Sequence, residues 1–113
     1  MALTVSQLFT PVQLGGIAAV LFSMPTAPAT SVLKNGRVRL TNTSGAPVPV
    51  TLYAAAAAVV SGVTNCCLNA VSIGGNSYLD LDIPTLLAGD TLRGFAGTAS
   101  VITMHELGGV IYS

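Results

Sequence analysis

Short apolar runs rich in Val, Leu, Thr and Tyr recur about every ten residues along this chain, each closed by a cluster of Gly, Pro, Asn or Ser. No segment sustains a helical period with caps, so the pattern confines the chain to all-β architectures. The expected fold is a β-sandwich or jelly roll of about eight antiparallel strands, with an up-and-down barrel as the alternative. At 113 residues there is room for one domain and one core, residues 1–113.

The clearest strand spans Val32 to Asn42, where Val38 and Leu40 alternate with Arg37, Arg39 and Thr41. The turn residues Asn42-Thr-Ser-Gly-Ala-Pro follow, then Val48, Val50 and Leu52 point one way and Pro49, Thr51 and Tyr53 the other. These two strands read as a hairpin or a neighbouring pair. Pro47 and Pro49 cannot donate to a ladder, which places the second strand at a sheet edge or bulges it near its start. Further strands are expected at Ile17 to Met24, Leu68 to Ile73, Ser77 to Ile83, Thr91 to Ala96 and Ser100 to Glu106, with Gly109 to Tyr112 continuing the sheet or making a terminal contact. Gly74-Gly-Asn-Ser supplies a tight turn with the positive φ angles a hairpin requires. Residues 1–11 read as an extended arm, and residues 54–66 as a long connection in which Ala54 to Ala58 favours a helical turn.

Only four basic and four acidic side chains accompany a 51% hydrophobic composition. Ordinary domains carry about a quarter charged residues. A chain of this size buries roughly two thirds of its extended surface, so much apolar area must face outward, and such patches usually meet other protein. Lys34, Arg37, Arg39 and Arg93 are too few to form a phosphate-neutralising stripe, so nucleic acid is not an expected partner. The apolar stretches Val12 to Met24 and Tyr53 to Val60 are too short to span a bilayer, so no membrane is expected either. The opening residues have no positive charge ahead of an apolar core, so a secretory signal is not expected and synthesis in a cytoplasm is.

Catalytic constellations are sparse. His105 stands beside Glu106, but no nucleophile elbow, glycine-rich phosphate loop or paired carboxylates accompany them, and no enzyme is expected. Adjacent Cys66 and Cys67 point in opposite directions on an extended chain, so two reduced cysteines are expected, with no metal or other cofactor. Asn42-Thr43-Ser44 matches a glycosylation sequon that the turn itself explains. Arg37 and Arg39 share one strand face and Asp80 and Asp82 another, both with the two-residue spacing of about 6 to 7 Å, so they can match as a charge ladder. Within one subunit the ladder adds little stability, and across subunits it would set register.

The order of these pieces resembles small tailed-bacteriophage virion proteins of the capsid decoration or cement type. The resemblance rests on Leu3-Thr-Val-Ser-Gln-Leu and Pro11-Val-Gln-Leu, Val38-Arg-Leu-Thr-Asn-Thr-Ser and Val50-Thr-Leu-Tyr. It continues in Leu79-Asp-Leu-Asp-Ile-Pro, Ala88-Gly-Asp-Thr-Leu and Gly109-Val-Ile-Tyr, and covers most of the chain. It implies a β-sandwich that sits as a homotrimer over junctions of the major capsid protein on the phage head, made in the host bacterial cytoplasm. The alanine run and Cys66-Cys67 depart from the family, whose members tend to carry a polar, glycine-rich loop there. No catalytic residue is implied. The expected contacts are the arm at Val5, Leu8 and Phe9 and the connection at Ala56, Val59, Val60 and Cys66. The rival readings are a tail or neck subunit and a glycan-binding adsorption module, the latter disfavoured because the chain has no Trp.

Overall fold

The alternation along Val32 to Asn42 is realised as an eleven-residue strand that buries Leu33, Val38, Leu40 and Asn42 and turns Lys34 and Arg37 to solvent. Its phase slips by one residue at Asn35-Gly36, where Asn35 adopts φ 57°. A Cβ on Gly36 would stand 3.2 Å from Leu33 Cδ2 and 3.3 Å from Ile83 Cδ1, so only glycine turns inward there without crowding.

The computed structural model describes the backbone of Leu3–Thr4 and all of residues 9–112. In chain order the strands are β1 (Leu3–Thr4), β2 (Val12–Gln13), β3 (Ala19–Ser23), β4 (Val32–Asn42), β5 (Val48–Ala56), β6 (Cys66–Ile73), β7 (Tyr78–Asp82), β8 (Leu86–Leu87), β9 (Asp90–Ala96) and β10 (Ile102–Tyr112), with a short 3-10 turn at Val63–Asn65. Sheet A has the order β1-β10-β4-β7, with β2 also on β10 and β8 also on β4; sheet B has the order β3-β9-β5-β6. Every pairing is antiparallel. The interleaved order, with the chain switching sheets between β2 and β3, β3 and β4, β4 and β5, β6 and β7, β8 and β9, and β9 and β10, is that of a jelly roll.

The core lies between the sheets. Leu33, Val38, Leu40, Ile102 and Met104 face it from sheet A and Phe22, Val48, Val50, Leu52 and Leu92 from sheet B, with Leu14 and Met24 closing it from the loops. Each such side chain removed from water stabilises the fold by about 1.5–3 kcal/mol. Within sheet B, β9 and β5 approach closely at Gly94, where a Cβ would lie 2.7 Å from the Thr51 carbonyl oxygen.

Several expectations are corrected. β4 and β5 form no hairpin, because the 43–47 turn carries the chain from sheet A to sheet B. β5 is an interior strand between β9 and β6. Its Pro49 is tolerated because the ladder to β9 begins one residue later, at Val50 and Ala96. The Gly74-Ser77 turn likewise links the two sheets, and its positive φ falls on Asn76, at 54°. Ala54–Ala56 do not turn helical; they continue β5 opposite Leu92, Thr91 and Asp90, so pairing with β9 overrides alanine's helix preference. The connection therefore shortens to residues 57–65, and Cys66 opens β6. The last two expected strands merge into β10, with register shifts between Glu106, Gly108 and Val110. Within the expected arm, Leu3 and Thr4 pair with Tyr112 and Ile111 of β10, as a first strand of sheet A.

Candidate functional site

Antiparallel pairing lines up Val20, Arg93, Tyr53 and Cys66 in a row across sheet B, and inward Leu52 and Leu92 leave Arg93 and Tyr53 on the outer face. Tyr53 stacks on Phe95, ring centroids 6.4 Å apart and planes 26° from parallel. Over this end of the face runs the 57–65 loop. Two side chains hold it. Arg93 donates from Nη2 to the carbonyls of Ala56 at 2.6 Å and Ala57 at 3.1 Å, and from Nη1 to the Val59 carbonyl and the Ser61 hydroxyl. Asn65 accepts from the Gly62 N–H at 2.9 Å and donates to the Val60 carbonyl at 3.0 Å.

With its backbone polar groups occupied in this way, the loop turns its valines outward: Val60 is 84% and Val63 96% exposed, and Val59 is also exposed. Between the 3-10 turn and β6 lies a cleft of about 520 Å³, lined by Tyr53, Gly62, Val63, Cys66, Cys67, Leu68 and Asn69. Both cysteines are half-buried thiols. Burial pushes the Cys67 thiol above its ordinary range, and the neighbouring Cys66 adds to the shift. No Asp, Glu, Lys, Arg or His occurs between Arg39 and Asp80, so the loop and β6 contribute no formal charge.

Of the residues expected to make contacts, Ala56, Val59, Val60 and Cys66 come together at this end of sheet B. Phe9 does not join them. It is half-buried, 5.5 Å from the Phe22 ring, and packs against the core. Val5 and Leu8 lie outside the described residues. The four charge-ladder residues meet within one chain. Arg39 opposes Asp80 and Arg37 opposes Asp82 across β4 and β7. Arg39 binds the Asp80 carboxylate with two hydrogen bonds of 2.7 and 3.0 Å, and this guanidinium holds Asp80 below the usual carboxylate range. The Arg37–Asp82 pair is looser, at 3.6 Å between exposed side chains. His105 is exposed on β10 opposite Arg39. Tyr78 is exposed too, but Arg39 covers its ring at 4.2 Å from the centroid. Among the described residues no three His, Cys, Asp or Glu side chains gather as a metal site, and no helix is long and apolar enough to cross a membrane.

Sequence reasoning passed over Val63, Tyr53 and Arg93 at this site. The forty-residue interval without a formal charge was the available signal for the first two. For Arg93 there was none, because its partners are backbone carbonyls 34 to 37 positions away. Comparison of the chain with protein-family models, with curated proteins and with solved structures finds no match in any of the three.

Proposed function

We propose that this chain is a non-enzymatic structural component of a tailed-phage virion: a decoration or cement protein that seats, as a homotrimer, on junctions of the major capsid protein at the head surface. The observation that carries the reading is the valine-tipped loop end of sheet B. Val59, Val60 and Val63 face outward on a backbone held by Arg93 and Asn65, in the middle of an uncharged tract that includes all of β5 and β6. An exposed apolar ridge on a chain this poor in charge fits permanent burial against other protein. A jelly roll serves as a rigid body for such a contact, and many weak copies around a shell add through multivalency. The sequence resemblance points the same way.

Copy number per purified particle, by quantitative mass spectrometry against the major capsid protein, tests the reading. Copies in a simple ratio to capsid subunits are expected. Only a ring's worth of copies would move the chain to the tail or neck, and its absence from particles would remove it from the virion.

A further inference from the structure

We infer that Arg93 is the positioning residue of this contact: it holds the 56–61 backbone against sheet B, so the loop meets its partner as a preformed, charge-neutral valine ridge, and the partner surface it fits is apolar and uncharged. The inference rests on the docking reading above.

The guanidinium is fully committed. Besides the carbonyls of Ala56, Ala57 and Val59 and the Ser61 hydroxyl, Nε donates to Thr91 Oγ1 at 2.8 Å. That hydroxyl donates in turn to the Ala55 carbonyl at 2.8 Å, and Thr91 is buried. A planar fork with five N–H donors can serve this set of acceptors at once; a lysine ammonium, with three donors on one atom, cannot. A side chain that only needed to be soluble would project into water from this outer face. Arg93 instead lies along the sheet and replaces water on the loop's carbonyls, which would otherwise have to be desolvated when a partner arrives.

Two consequences follow for binding. A loop ordered in advance loses less conformational freedom on contact, so affinity depends on Arg93 even though the valines make the contact. The Arg93 charge that holds the ridge is matched to carbonyl dipoles of its own chain, and no Asp, Glu, Lys, Arg or His occurs from residue 40 to residue 79, so the contact lacks the long-range charge term that salt screens.

The test uses the full chain and heads assembled without it as the binding probe. In Arg93→Lys and Arg93→Gln, amide exchange at residues 57–61 is expected to accelerate while β4 and β10 stay protected. Affinity for the heads is expected to fall about tenfold, and wild-type affinity to change less than about twofold between low and high salt. Unchanged loop exchange in both variants, unchanged head binding, or a steep loss of wild-type binding with salt would each overturn the inference. The double variant Val60→Ser, Val63→Ser keeps the Arg93 contacts and separates the two ideas. If it binds like wild type, the loop is not the contact and the docking reading fails. If it loses binding while the Arg93 variants bind normally, only the positioning role fails.

Discussion

The two sheets share one core but present opposite outer surfaces. Lys34, Arg37, Arg39, Asp80, Asp82 and Glu106 all lie on sheet A, with His105 among them. Sheet B carries only Asp90 and Arg93, and both are occupied by backbone of their own chain: Asp90 accepts the Leu87 N–H at 2.9 Å, and Arg93 serves the loop carbonyls. Sheet A pairs Arg37 with Asp82 and Arg39 with Asp80 across strands, and its charged outer face can face water indefinitely. Sheet B leaves apolar side chains with nothing of their own to cover them. The core needs only the inner face of each sheet, so the outer faces are free to diverge, and their divergence gives the molecule a wet side and a side suited to contact.

The strongest way to break the comparison is to remove what joins the sheets. Asn42, fully buried at the end of β4, donates to the carbonyls of Ala46, Ile73 and Gly74 and accepts from the Ser44 backbone N–H and hydroxyl. Asn42→Leu strands those groups without a partner and is expected to lower stability by about 3 kcal/mol in urea titrations. A milder change sharpens the contrast: Val60→Ser with Val63→Ser should alter stability by less than about 0.5 kcal/mol, because neither side chain is in the core, while particle binding falls.

Thiol labelling probes the sheet B cleft. With its thiol pushed up by burial, Cys67 should alkylate slowly at neutral pH and speed up only as the pH climbs beyond the ordinary thiol range, read by mass spectrometry of modified peptides. Sheet A gives the smallest effect. The folded Asp80 pKa lies below its unfolded value, so its contribution is present above the ordinary carboxylate range, near pH 4, and is lost as the pH falls through the folded value. Asp80→Asn should accordingly flatten the acid limb of the stability curve and leave stability at pH 7 only slightly reduced.

Legibility in the sequence follows the same division. Sheet A was readable because Val38 and Leu40 against Arg37 and Arg39, and Leu79 and Leu81 against Asp80 and Asp82, state both the alternation and the register in side-chain chemistry. Sheet B was harder. A turn such as 43–47 announces that the chain reverses, but its residues do not say whether the next strand lands beside the last one or in the opposite layer. The alanine run carried a helical propensity that pairing to β9 overruled. Arg93 stands between Leu92 and Gly94 with no local pattern, and its role exists only once the loop has folded over it. Within the site, Val59, Val60 and Cys66 were visible as an uncovered apolar connection; the residue that holds that connection in place was not.

The Asn42 amide also bears on how the molecule comes apart. It belongs to sheet A, yet its acceptors sit at the entrance to β5 and the exit of β6, both in sheet B. Neither sheet can peel away without exposing the other's buried carbonyls and the shared core together. Melting should therefore run as a single cooperative transition, with no half-open state that would offer its bare inner face to neighbouring chains.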